Sequence, residues 1–296
     1  MEKYRNECVE LNEYLHSFGD LSTEPVTAYI FGLLYTLIII AGLLGNICVI
    51  IAVLKFRFLQ TVPNMFIFSL SCSDILVCCF SATITPIAAF EKRWVFGYFL
   101  CKSVPFFMGI TLCFSTFTLA SISVDRFLLI KCPTKQMLTK NKALLIILVT
   151  LFSSPVIFKM DTIPICGEFC DEIGWKTSYG RRVYGTILLT VQFVLPFSVI
   201  FFCYSSILYT VRKVSNKQKN LEINDDIIKR RQRTNWMLIS MVVAFSVSWI
   251  GNILYHTLKD YELLPTFILN QEFLYAISVH CIAMTSTVIY CSSYYY

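Results

Sequence analysis

Charge is scarce in this 296-residue chain: Asp, Glu, Lys and Arg make up 15% of it against 56% hydrophobic residues, and histidine occurs three times. No soluble single domain of this length covers itself with so little polar surface. Gly-x-Ser-x-Gly and His-Glu-x-x-His are also missing. Those patterns set up nucleophilic or zinc-assisted hydrolysis, and His256 and His280 fall in separate apolar runs, so the chain reads as no enzyme. No internal repeat, broken helix pair or charged pore lining is visible, which leaves a membrane transporter or channel as a lesser alternative. The first 26 residues lack an apolar core of the signal-peptide kind and contain no Asn-x-Ser/Thr acceptor. No cleaved leader is therefore expected, and the first apolar run must direct insertion itself.

Seven apolar runs fill the rest, at about 27–54, 64–90, 98–131, 143–160, 183–212, 232–257 and 269–293. A spanning helix needs about 20 apolar residues and an open sheet edge cannot lie in lipid. The expected fold is an all-α membrane protein, a seven-helix bundle over 27–296 preceded by an arm over 1–26. With the arm outside, fifteen of the 25 Lys and Arg residues fall on the inner side, among them Lys55, Arg57, Arg126, Lys131 and the stretch from Arg212 to Arg233. That bias is the positive-inside signature, and such a face suits an anionic leaflet or an acidic cytosolic partner. Nothing points to nucleic acid.

Eight of the 13 cysteines, from Cys48 to Cys291, lie in or at the inner ends of the spans and read as small apolar packers. Cys132 lies just inside. Cys8, Cys101, Cys166 and Cys170 fall outside, where disulfides persist, and allow three full pairings. Cys101–Cys170 is favoured, tying the third span to the loop before the fifth; Cys8–Cys166 would be its complement. Polar residues inside the spans are few: Asn46, Asp74, Ser115, Trp249 and Ser286. A carboxylate at the depth of Asp74 either stays protonated as interhelical glue or, ringed by hydroxyls such as Ser115, holds a sodium ion. Asp125-Arg126-Phe127 ends the third span, and ionisable residues that persist at such depth are functional candidates.

These residues resemble, in order and spacing, the rhodopsin-like (class A) G-protein-coupled receptors, and within them the neuropeptide Y/F-type branch, especially its nematode neuropeptide receptors. The likeness rests on Gly45-Asn46, Ser69-Leu70 through Asp74, Trp94-Val-Phe-Gly before Cys101, Ser121 through Asp125-Arg126-Phe127, and Phe169-Cys170-Asp-Glu172 with Trp175. It continues through Pro196, Tyr204, Arg230 to Val243, and His280 with Ala283-Met284. The resemblance implies a multi-pass plasma-membrane receptor that binds an extracellular peptide and turns Arg126, with Asp125, Tyr204 and Tyr294, toward a heterotrimeric G protein, of the Gi/o type by analogy. Pro196 gives the fifth helix a kink that permits two packings.

An amine ligand would need an acid on the third span, yet none occurs from Tyr98 to Val124, and Met108 holds the place five turns above Arg126. A retinal Schiff base would need a lysine in the seventh span, which has none. The outer segments instead carry Glu168, Asp171, Glu172, Asp260 and Glu262, a potential that steers cations. By resemblance Asp260 holds an arginine near an amidated peptide end, of Arg-Phe-amide or Arg-Tyr-amide type. Thr85, Glu172, Gln192, His256 and His280 would line the pocket over Trp249. Four departures stand against the family pattern: Met108 for an amide-reading glutamine, no Trp in the fourth span, Gly251 for a kinking proline, and Tyr290-Cys291-Ser-Ser-Tyr294 for Asn-Pro-x-x-Tyr. They motivate a second expectation, a divergent receptor that binds without signalling, and with the end at Tyr296 they raise the expectation of a shortened sequence.

Overall fold

A computed structural model describes residues 11, 15–16, 19–131, 145, 160–164, 168–172, 178–218 and 225–288. Within them run α1 (Pro25–Lys55), α2 (Val62–Glu91), α3 (Gly97–Lys131), β1 (Met160–Pro164), β2 (Glu168–Glu172) and α4 (Ser178–Leu189). A π-helical turn over Thr190–Val194 leads into α5 (Leu195–Gln218), and α6 (Asp225–Asp260), α7 (Thr266–Leu269) and α8 (Glu272–Met284) follow. Five helices are long and apolar enough to cross a membrane, and Glu272–Val288 is a shorter apolar helix. They correspond to six of the seven expected spans; the fourth, 143–160, lies outside the described residues, as do Cys8, Cys132, Cys166, Cys291 and Tyr294.

Each helix starts and turns where its residues dictate. Pro25 sits in the first turn of α1, where its missing N–H breaks no bond. Pro86 and Pro105 stand inside α2 and α3. The π turn ends just before Pro196, whose ring removes a ladder donor at the junction with α5. By contrast α6 is one continuous helix through Gly251.

The faces of α1 sort by environment. Leu33, Leu37, Leu44, Ile51 and Leu54 are exposed, as a lipid-facing stripe would be, while Tyr35, Gly42, Asn46, Val49 and Val53 are buried against the bundle. At Gly42 a Cβ would lie 2.8 Å from Cys78 Sγ and 3.1 Å from Thr287 Oγ1. Glycine there lets α1, α2 and the helix over Thr287 close on one another, the small-residue contact that lipid-embedded helices use. Asn46 pins the same junction, donating to Gly42 O at 2.9 Å and Thr287 O at 3.0 Å. The apolar core (Val49, Phe66, Leu70, Leu119, Ile122, Ile207, Met241, Phe245, Met284) joins the described spanning helices.

Cys101 and Cys170 are disulfide-bonded, fastening the start of α3 to β2, which pairs antiparallel with β1. A disulfide belongs to an oxidising compartment, as the end expected to face outward would be.

Candidate functional site

A cavity opens between α3, α4, the π turn and α6, with a volume of about 360 Å³, within the usual range for a small-ligand site. Its walls are mainly apolar, with Met108, Leu112, Phe193 and Trp249 at depth and a few polar side chains above them. Of the residues expected from sequence, Gln192, Trp249, His256 and Asp260 line it. Thr85 is half-buried on α2 and is not among its walls. His280 sits apart as well. Its ring bridges Tyr35 Oη at 2.7 Å and Ser81 Oγ at 3.0 Å, joining α1, α2 and α8. Glu172 lies on β2, and its side chain is outside the described residues.

Arg181 and Arg182, absent from the expectation, change the electrostatics of the rim. Arg181 Nε lies 3.1 Å from Asp260 Oδ1. Arg182 donates from Nε to Asp260 O at 3.0 Å and from Nη2 to Glu262 Oε1 at 2.9 Å, and its guanidinium lies over the Tyr261 ring. Thr186 Oγ1 and Tyr261 Oη are 2.9 Å apart. Gly185 makes room for this pairing, since a Cβ there would meet Asp260 Oδ2 at 2.8 Å. So, of the rim acids read as negative, the two whose side chains are described, Asp260 and Glu262, are each matched by a cation of the same chain. The signal in sequence was the Arg-Arg pair opening an apolar run, but its partner lies about 80 residues away.

A polar strap closes the outer end beside the bundle. Gln271 donates to Gly19 O at 3.0 Å and accepts from Leu21 N at 2.9 Å, and Lys92 Nζ donates to Ser22 Oγ at 2.6 Å while lying 4.2 Å from the Phe273 ring centre. Lys92 is 4% exposed and Asp20 3%. Burial pushes the Lys92 ammonium down from 10.5 to about 8, with Asp20 opposing. The unfolded chain therefore holds this proton more firmly, so this residue's contribution to stability rises with pH from about 8 and is complete above about 10.5. The melting temperature of the parent should accordingly gain on that of Lys92→Met between pH 7 and pH 10. Parallel curves would refute the assignment.

Beneath Met108, Leu112 and Trp249 lies a second, much smaller cavity of about 10 Å³, lined also by Asp74, Thr111, Ser115, Ser286 and Thr287. Asp74 is 4% exposed and its Oδ2 has no hydrogen-bond partner. Trp249 Nε1 donates to Ser286 Oγ at 3.1 Å, and Ser73 Oγ is 3.5 Å from Ser115 Oγ. An orphaned carboxylate oxygen beside hydroxyls, with room for about one water-sized body, is a donor set that fits a small hard cation.

At the inner end Arg126 Nη2 bonds Asp125 Oδ2 at 2.8 Å, the two side chains being only 11% and 13% exposed. Arg126 Nε has no partner. The Tyr204 hydroxyl is buried beside Ser123 and Arg126 and makes no bond of ordinary geometry. The arrangement is a restrained guanidinium with an unused donor, facing an unused phenol.

The sequence model of the "7 transmembrane receptor (rhodopsin family)" matches residues 45–295. The chain is 29% identical to Neuropeptide receptor npr-1 of Caenorhabditis elegans over 86% of this chain and 67% of that one. It is 30% identical to the Neuropeptide F receptor of Drosophila melanogaster over 86% of this chain and 56% of that one. It is 33% identical to human Neuropeptide Y receptor type 2 over 86% of this chain and 69% of that one.

Proposed function

We propose, for a chain that belongs to the rhodopsin family of seven-transmembrane receptors, that it binds a short cationic neuropeptide at its outer end and passes the signal to a heterotrimeric G protein. The peptide ends in Arg-Phe-amide or Arg-Tyr-amide, and its arginine pairs with Asp260. The carrying observation is that Asp260 already holds a guanidinium, that of Arg181, on the wall of a cavity of small-ligand size. A carboxylate that already pairs with one guanidinium can accept another in its place. The ligand's arginine then enters by exchange, and Arg181 is released. Such a ligand shifts the receptor between two packings only by binding one of them more tightly.

Family membership and relatives named for neuropeptides Y and F support this reading over a transporter. The inner basic face and the Asp125–Arg126 pair suit a G protein; a Gi/o partner and a plasma-membrane address rest on analogy with those relatives. A labelled peptide ending in Arg-Phe-amide should bind at least about tenfold more weakly to Asp260→Ala, because a partly desolvated ion pair is lost. Equal affinity would remove Asp260 from the site. The same peptide should also stimulate nucleotide exchange on a Gα panel. Binding without exchange would select the silent relative that the uninterrupted α6 keeps in view.

A sodium ion at Asp74 and Ser115 belongs to the same proposal. It would hold the helices about Trp249 and Ser286 in the resting packing, with Asp74 supplying the countercharge. Peptide affinity should then fall when potassium is replaced by sodium in the parent but not in Asp74→Asn; insensitivity in both would discard the ion.

A further inference from the structure

At the turn from α1 into α2 the residues Leu54-Lys55-Phe56-Arg57-Phe58 are all exposed, Phe58 at 76% and Phe56 at 44%. Phenyl rings left in water forgo the free energy that burying them yields. The turn lies at the end of the bundle opposite the Cys101–Cys170 disulfide, the end expected to face inward, since α2 runs from this turn toward the start of α3. It follows directly on the exposed apolar residues Ile47, Ile51 and Leu54 of α1. Rings that extend a lipid-facing stripe past its helix end stand where acyl chains meet headgroups.

Lys55 and Arg57 alternate with these rings, and no Asp or Glu occurs between Glu24 and Asp74. Among the described residues neither cation has a carboxylate partner. Lys55 Nζ lies 5.7 Å from the centre of the Phe56 ring. The turn between α2 and α3, at the other end, is made differently, for its Arg93 lies 3.5 Å from Glu91.

Hydrogen bonds hold the inner turn in shape. Leu59 N donates to Phe56 O at 3.0 Å and Gln60 N to Arg57 O at 3.2 Å, a single 3-10 turn. Gln60 Nε2 donates back to Val53 O at 3.3 Å, and Asn64 Nδ2 to Leu59 O at 2.7 Å. The rings of Phe56 and Phe58 sit 5.7 Å apart. Rings and cations are thus presented together, and a partner pays little to order them.

We propose that Lys55, Phe56, Arg57 and Phe58 form a binding site for an anionic phospholipid of the leaflet that meets this end of the bundle. The two rings enter the boundary of the acyl chains, and the two cations hold the headgroup from the water side. A guanidinium grips a phosphate through paired N–H donors, and an ammonium adds a point charge. A zwitterionic lipid offers the same phosphate but brings an ammonium that Lys55 and Arg57 repel, and that difference selects between the two. The site is independent of whatever peptide the outer cavity takes.

Phe58→Trp supplies a reporter in the full chain, reconstituted in phosphatidylcholine bilayers. Quenching of the added indole is the difference between the emission of this variant and that of the parent. With about one lipid in twenty replaced by brominated phosphatidylserine, that quenching should exceed the effect of the same fraction of brominated phosphatidylcholine at least about threefold, because two basic side chains concentrate an anionic lipid. Adding Lys55→Gln and Arg57→Gln should bring the two lipids to within about 1.3-fold, with quenching by the phosphatidylcholine unchanged. That unchanged arm would show the turn still seated in the bilayer. Equal quenching by both lipids while the two cations are present, or a preference that survives their removal, overturns the proposal. An indole that neither lipid quenches overturns it as well, by placing the turn in water.

Discussion

Replacing Arg126 with glutamine should abolish peptide-stimulated nucleotide exchange while leaving peptide affinity within about threefold. A guanidinium only 11% exposed, paired at 2.8 Å with a carboxylate 13% exposed, has given up most of its water. Its Nε has no partner, and the Tyr204 hydroxyl beside it is unused as well. One pair of charges therefore leaves donors over, which is poor design for stability alone, since breaking even against an apolar replacement requires full satisfaction. The same arrangement is good design for a switch, because a second state can use what the first leaves idle. Truncating one member of a desolvated, hydrogen-bonded charge pair in an interface costs about 2–5 kcal/mol, or about 30-fold to several thousand-fold. Glutamine keeps the length of the stem and removes the charge. Asp125→Asn should act in the opposite sense and raise basal exchange by loosening the restraint. Stimulated exchange by Arg126→Gln within about twofold of the parent would show that the pair is a snorkelling helix end and nothing more.

Cys101→Ser should cost the outer end its ordered shape. The disulfide closes a chain segment with a sequence separation of 69 and fixes β2, with the β1–β2 hairpin, to the start of α3. A loop of that length corresponds to about 4 kcal/mol in the chain-entropy account, an upper figure where membrane insertion already restricts the unfolded chain. Cys101 is itself fully buried, so serine also places a hydroxyl where a sulfur packed. Peptide binding by Cys101→Ser should fall below detection at concentrations that saturate the parent. Mild reductant should reproduce the loss in the parent. Reductant-resistant binding would show that the hairpin has no part in holding the cavity open.

Much of this architecture was legible in the order of residues. The apolar runs, too long for strands and too many for a soluble core, required a helical bundle. Asn46, Asp74 and Asp125-Arg126 stood out because lipid makes every polar residue expensive. The disulfide partners were narrowed by compartment before the structure joined them. Asp260, Gln192, His256 and Trp249 all line one cavity. Thr85 and His280 are not among its walls. His280 is spaced like a wall residue, yet Tyr35 and Ser81 take both its ring nitrogens. Which side of a helix meets a cavity depends on its rotation, and in a bundle apolar nearly all round the hydrophobic pattern does not fix that rotation.

Local chemistry set the spans, their polar breaks and the basic inner face, since each depends on a residue's own transfer free energy and on neighbours within a turn or two. Only the packing of helices decided that Arg181 meets Asp260, that Gln271 catches Gly19 and Leu21, and that the Asn252 amide oxygen is left without a partner. Those pairings join groups as many as 252 positions apart. Coulomb attraction and hydrogen bonding act over a few ångströms, and distance in space between such groups is not written in their separation along the chain.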